Sequence, residues 1–288
     1  MSNKKLFTLT KNSLLLAITI LIPAFTLFSI NSLYSAQAGE IIFDQKPLKK
    51  QAYKETWVNS FSQFNNFKGF DYTGKLKQVY NTENQYQQNG SFFVTAQKKN
   101  TINPLYNSTS GESRLNTYSA PYSGGRLELK EKFQFGHLQI RAKVPNISGT
   151  LPAFWLINND PAEGYSEIDM LEVPGTEKGN AYSAVHWGSN QSVLKNKWGV
   201  RKMPTISNDY HWYDIYRFPD YAVVLYDGVK VMEYDPRVSQ LPNGRIPLND
   251  PMNLIINFNI GDKWAGQMDD NKLPAAIEIK EISIRHYK

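Results

Sequence analysis

Ser166-Glu167-Ile168-Asp169-Met170-Leu171-Glu172, running on into Val173-Pro174-Gly175, is the stretch whose reading decides the fold. Three carboxylates fall within six residues, interleaved with Ile168, Met170 and Leu171. On a strand the side chains alternate between faces, so Glu167 and Asp169 share one face while Ile168 and Met170 share the other. Glu172 has the wrong parity for a flat strand. One extra residue between Asp169 and Glu172, a bulge, restores it and brings all three acids to one side. A helix does worse, because five steps of about 100° leave the two glutamates roughly 140° apart.

Like charges gathered within a few Å resist simultaneous ionisation, so a face that needed only solubility would disperse them. Glycoside hydrolysis wants this arrangement. One carboxylate attacks the anomeric carbon while a second, held protonated, gives its proton to the leaving oxygen. The plainer reading of the same spacing is an acidic edge strand solvated on one face.

Around this stretch the chain reads as all-β. Runs of strand character separated by Gly, Pro, Asn and Asp occupy Ser91–Ala96, Arg126–Phe135, His137–Val144, Ala181–Trp187, Trp212–Phe218, Ala222–Tyr226, Val229–Tyr234, Leu254–Ile260 and Ala276–Tyr287. Asp227-Gly228 reads as a tight hairpin turn, and a second hairpin is expected around Gly136. Along the last run the apolar positions Ile277 and Ile279 give way to Ile282 and Ile284, a change of phase that predicts a bulge. Residues 39–65 show no clear period, and no long amphipathic helix or internal repeat is visible. Many short strands without helices predict a single β-sandwich or barrel domain.

The 288 residues carry a formal net charge of +6, and three of the positive charges, Lys4, Lys5 and Lys11, precede an apolar run from Leu14 to Phe28. Ala36-Gln37-Ala38 follows as a small-x-small cleavage site, so residues 1–38 are expected to be a secretory signal peptide and 39–288 the exported domain. A retained membrane anchor is the alternative for that run, which is short for a span and contains Pro23. With no cysteine there is neither a disulfide nor a lipidated N-terminus. No Lys/Arg run longer than two residues follows the leader, so nothing points to nucleic acid. The expected form is a secreted or periplasmic monomer acting on a polysaccharide, free of the membrane once the leader is cleaved. Aromatics make up 13% of the chain, and Tyr118, Tyr122, Tyr165, Trp187, Trp198 and Trp264 lie in or beside turns. Flat rings of this kind suit the C–H faces of sugars, although any one of them taken singly reads first as a half-buried sandwich residue.

Taken together, several segments resemble glycoside hydrolase family 16, the laminarinase-like β-glucanases. Glu167-Ile168-Asp169-Met170-Leu171-Glu172 is similar to the bulged form of the family's E-x-D-x-x-E signature. In the family's order stand Tyr122–Arg126, Gly136–Pro145, Pro152–Leu156, Val185–Gly188, Tyr226–Gly228 and Ile256–Trp264. The resemblance implies a jelly-roll β-sandwich of two antiparallel sheets with a concave substrate cleft, and a retaining endo-glucanase acting on β-1,3 or mixed-linkage β-1,3/1,4 glucan. It implies Glu167 as nucleophile, Glu172 as general acid and then base, and Asp169 as the proton-holding group between them. Trp155 would wall the subsite beside the scissile bond, and His186 would contact the sugar or an acid there. Arg126 would bind a sugar further away, with Tyr165 and Trp264 as further sugar contacts. Trp155 is otherwise a core residue, His186 a satisfied strand histidine and Arg126 a surface arginine. His211 and His286 read as structural, and His137 has no acid partner in sequence.

The resemblance implies no cofactor for the chemistry and no catalytic metal. It allows a structural calcium, whose ligands no dense carboxylate loop marks. The sequence departs from the family in places. Leu151 stands before Pro152 where laminarinases commonly have Trp, Thr82 replaces an Asn, and Tyr165 is the one aromatic close before the signature. These changes spare the acids and fall on sugar-binding positions. The same fold acting on a galactan of the agarose or carrageenan type, a transglycosylase, and a non-catalytic glucan-binding module remain as alternatives.

Overall fold

The computed structural model describes residues 52–65, 77–158, 164–189, 194–261 and 263–287. All lie in one unit, Phe43–Lys288; the expected leader lies outside the described residues. In chain order the strands are β1 (Ala52–Trp57), β2 (Phe64–Asn65), β3 (Gln78–Tyr80), β4 (Gln85–Gln88), β5 (Ser91–Ile102) and β6 (Ser119–Gly124). Next come β7 (Arg126–Phe133), β8 (Gly136–Lys143), β9 (Thr150–Asn158), β10 (Tyr165–Glu172), β11 (Asn180–Gly188) and β12 (Leu194–Lys202). The chain closes with β13 (His211–Phe218), β14 (Tyr221–Tyr226), β15 (Val229–Tyr234), β16 (Met252–Ile260) and β17 (Ala275–Tyr287).

Two sheets face each other as a jelly roll. One runs β15-β14-β13-β8-β17-β5-β6-β3, with β1 also on β17 and β4 also on β5. The other runs β12-β11-β10-β9-β16-β7-β2. Both sheets are antiparallel as expected, apart from the short pair of β3 with β6, which is parallel. The core follows from alternation. Leu138 and Ile140 of β8, Phe154 and Leu156 of β9, Ile168 and Met170 of β10, and Leu254, Ile256 and Phe258 of β16 are all buried between the sheets. Every second residue of β9, β10 and β16 therefore points the other way, onto the concave outer face.

Asp227-Gly228 closes the β14–β15 hairpin with both residues at positive φ, 49° and 76°, as a two-residue turn of this kind requires. The hairpin expected around Gly136 does not form. β7 pairs with β16 and β2 in one sheet, and β8 pairs with β13 and β17 in the other, so this short connection crosses between layers. A tight turn and a sheet-to-sheet crossover look alike in sequence, since both need a glycine at positive φ, here 133°. The predicted bulge in β17 is present, with a register shift between Ile279 and Glu281.

One buried side chain ties the layers together beneath the acidic stretch. Tyr226 of β14 donates its hydroxyl to the carbonyl oxygens of Met170 (2.8 Å) and Tyr182 (2.6 Å) in the opposite sheet. Met170 lies in the bulge, where ladder bonding is interrupted and a carbonyl needs another donor. Replacing Tyr226 with Phe should cost about 1–3 kcal/mol on denaturant unfolding, the penalty of a buried acceptor losing its donor. Turnover should fall more than substrate affinity, because the bulge sets how the acids are aimed.

Candidate active site

β10 carries the site. Its pairing with β11 slips between Asp169 and Glu172, and its pairing with β9 slips between Asp169 and Leu171. The slip lets both Met170 and Leu171 enter the core, so Glu172 returns to the face of Glu167 and Asp169. All three acids line one open cleft with Tyr80, Leu151, Ala153, Trp155, Asn257 and Asn259.

Each acid has its own surroundings. Tyr165, two residues upstream on the same strand face, donates its hydroxyl to Glu167 Oε2. Burial pushes the Glu167 carboxyl upward, while the Tyr165 hydroxyl and the nearby His186 draw it partly back. Asp169 is 5% exposed. Burial first, and the neighbouring Glu167 second, hold it well above the ordinary carboxylate range. His186 Nε2 stands 3.2 Å from Asp169 Oδ2. His186 is the β11 partner of Glu167 in register, which places the imidazole over the same row. Ser183 fixes the strand from below by donating to the Asp169 carbonyl at 2.7 Å.

Ligand atoms of Glu167, Asp169 and His186 come within 4.8 Å of one another, close enough for a cation. Those atoms are already engaged by Tyr165 and by each other, so the cluster is better suited to sharing a proton.

Asp169 also yields a stability prediction. A carboxyl whose folded pKa is raised binds its proton more tightly folded than unfolded. It is therefore neutral in its effect below the unfolded value of about 3.8 and costs stability as pH rises past it. Asp169→Asn removes that cost, each unit of upward shift being worth about 1.4 kcal/mol. The variant should melt at a higher temperature than the parent at pH 7, with the gain vanishing near pH 3.5, while its activity drops. Equal melting temperatures at both pH values would contradict the assignment.

The floor continues across β9 and β16. Trp155, opposite Asp169 in register, donates its indole N–H to Asn257 Oδ1 at 2.6 Å. It is half-exposed in the cleft rather than packed into the core. The Arg126 guanidinium lies 5.6 Å from the Trp155 ring and 5.9 Å from the Tyr80 ring, with Glu128 3.4 Å away. Asn259 accepts from the Tyr80 hydroxyl and from Gln78 Nε2. On the other side of the acids, Trp264 donates to Glu177 (3.1 Å) and packs edge-on against Tyr182, with ring centroids 4.8 Å apart.

Glu167, Asp169, Glu172, Trp155, His186 and Tyr165 thus converge. Arg126 stands beside Trp155, and Trp264 packs on Tyr182, the β11 partner of Glu172. Sequence reasoning missed Tyr80, Asn257 and Asn259. The alternation in Ile256-Asn257-Phe258-Asn259-Ile260 carried a signal for the two asparagines, apolar inward and amide outward. Tyr80 had none, because it arrives from the other sheet. The remaining histidines are occupied: His137 with Asp214 at 2.7 Å, His211 with Asp227 at 2.7 Å and His286 with Glu131 at 3.0 Å.

A jelly-roll sandwich whose concave face gathers paired carboxylates on a bulged strand has the architecture of a glycoside hydrolase. The chain belongs to the glycosyl hydrolases family 16, whose family model matches residues 74–275. It is 28% identical over 218 residues to glucan endo-1,3-beta-glucosidase A1 of Niallia circulans, covering 70% of this chain and 31% of that one. It is 24% identical over 265 residues to a keratan-sulfate endo-1,4-beta-galactosidase of Sphingobacterium multivorum, covering 86% of this chain and 59% of the relative. The chain thus spans about a third and about three fifths of these two relatives. The fold matches the laminarinase catalytic domain of Thermotoga maritima with a TM-score of 0.68 at 20% identity, over 83% of this chain and 99% of that one.

Proposed function

We propose that the protein is a secreted, retaining glycoside hydrolase that cleaves internal β-1,3 or mixed-linkage β-1,3/1,4 bonds of a glucan. The observation that carries this reading is the bulge, which puts Glu167 and Glu172 on one face of the same cleft on either side of Asp169. Glu167 attacks the anomeric carbon as Glu172 protonates the departing oxygen. Water, deprotonated by Glu172, then releases the sugar from the Glu167 ester. Asp169, kept protonated by its burial, donates toward its neighbours and lets Glu167 carry the charge. No cofactor enters these steps. Residues 1–38 would be removed on export, and the mature chain would act as a monomer.

The substrate class is argued from charge. The cleft around the scissile position is lined by three acids and, among the described residues, by no lysine. A sulfate next to the reacting sugar would be repelled there, which favours a neutral glucan over a carrageenan. The galactan reading has one specific support, the alignment with the endo-β-galactosidase over 86% of this chain. Product analysis on laminarin, lichenan, agarose and keratan sulfate, beside the parent's own inactive Glu167 variant, separates the two. Oligosaccharides from laminarin or lichenan support the glucan reading. Release from agarose or keratan sulfate alone moves the substrate to galactans, and binding without release removes the enzyme reading.

A further inference from the structure

Strand β12 is the free edge of the cleft-bearing sheet, and its outward face is more apolar than solvent exposure warrants. Register places Trp198 opposite Ala184 and Ala184 opposite Asp169, so the three form one row across the sheet. Asn196 and Val200 flank Trp198 on that face, opposite His186 and Tyr182. Trp198 is 61% exposed, an unusual waste of a large ring unless something covers it.

The ring is also held in place. Its neighbour Tyr182 lies 6.0 Å away, centroid to centroid, and Tyr182 in turn contacts Trp264. Both Tyr182 and Trp264 are tied to Glu177, whose carboxyl their hydrogen bonds hold below the usual range. From behind, Gly199 lies so close to the backbone of β15 that an added Cβ would meet the Val231 carbonyl at 2.0 Å. That contact fixes the edge strand on the opposite sheet and leaves Trp198 facing outward.

We infer that Trp198, with Tyr182 and Asn196, forms a sugar-stacking shelf that extends the substrate path beyond the acids, on the side opposite Arg126 and Tyr80. Ala184 between them carries only a methyl group, so no large side chain of that row stands between Asp169 and Trp198. Two strand spacings put Trp198 about 10 Å from the acids, within reach of a sugar beyond the one being cleaved. The occupant is the uncharged pyranose face of the polysaccharide itself, with Asn196 placed for its hydroxyls. A second copy of the chain pairing along this edge is disfavoured by Lys195, Lys197, Arg201 and Lys202, the charge pattern that blocks strand-to-strand association. The inference rests on the hydrolase reading above for the identity of its ligand.

The test measures binding and cleavage separately. Affinities of Glu167→Gln, with and without Trp198→Ala, are measured for trisaccharides and hexasaccharides of laminarin and of agarose. Cleavage of the polymers is measured for the parent chain. Trp198→Ala should weaken hexasaccharide binding about fivefold to tenfold, leave trisaccharide binding unchanged, and be repaired by Trp198→Phe. Equal weakening for both lengths, no weakening, no binding of any of the four sugars, or a change of oligomeric state in the variant would each overturn the shelf. A parent chain that binds through Trp198 yet cleaves nothing would sink the hydrolase reading while keeping the shelf. An active parent indifferent to Trp198 does the reverse.

Discussion

Glu167→Gln should lower polysaccharide hydrolysis by about four orders of magnitude or more, equivalent to some 5–6 kcal/mol of transition-state stabilisation, while the fold survives. Gln is nearly isosteric with Glu and can still accept from Tyr165, so melting temperature should hold or rise. The loss is chemical, because the amide cannot attack the anomeric carbon and the covalent route closes. The pH profile of the parent supplies a companion result. Glu167 must be ionised to react, and burial raises it above the ordinary 4.5. Activity should therefore climb with pH through a limb displaced upward from the usual glutamate range. A limb at or below 4.5, or a Glu167→Gln variant with more than a few per cent of parental turnover, would remove Glu167 from its role.

The second large effect belongs to Glu172. Glu172→Gln should slow polysaccharide cleavage by about 10²–10⁴-fold, the range of a lost general acid. An aryl glycoside whose leaving group departs without a proton should still glycosylate Glu167 rapidly, the aryloxide leaving as the ester bond to the anomeric carbon forms. The intermediate then accumulates, since no base remains to activate water, and a burst followed by slow turnover appears. Added azide, which needs no deprotonation, should restore turnover and give a glycosyl azide of retained configuration. Equal losses on activated and unactivated substrates would mean that Glu172 does not handle the leaving-group proton.

Much of this was legible in the chain because alternation is a local rule. Nine expected strand runs coincide with strands of the structure, and the bulge in β10 was required by the parity of Glu167 and Glu172 alone. What escaped was non-local. β12 alternates Lys and Asn with single apolar residues and carries no core face, so nothing in its pattern distinguishes it from a loop. β9 begins with Thr150-Leu151-Pro152, and Pro152 masks an otherwise regular run. β1 was hidden because its partner, β17, lies at the far end of the chain. At the site, the acids were legible because they sit on one strand. Tyr80 could not be read, because the cleft it lines is assembled from both sheets. Trp264, expected among the sugar contacts, donates to Glu177 and packs on Tyr182, the β11 partner of Glu172.

The central claim is that Glu167 and Glu172 form a nucleophile and acid pair that works by double displacement. Proton NMR of the first product formed from a β-glucan oligosaccharide tests it most directly, because the anomeric signal is read before mutarotation. The β-anomer should appear first, with the α-anomer growing in only as the sugar equilibrates. An α-anomer appearing first would show a single displacement by water, and Glu167 would then be a base rather than a nucleophile.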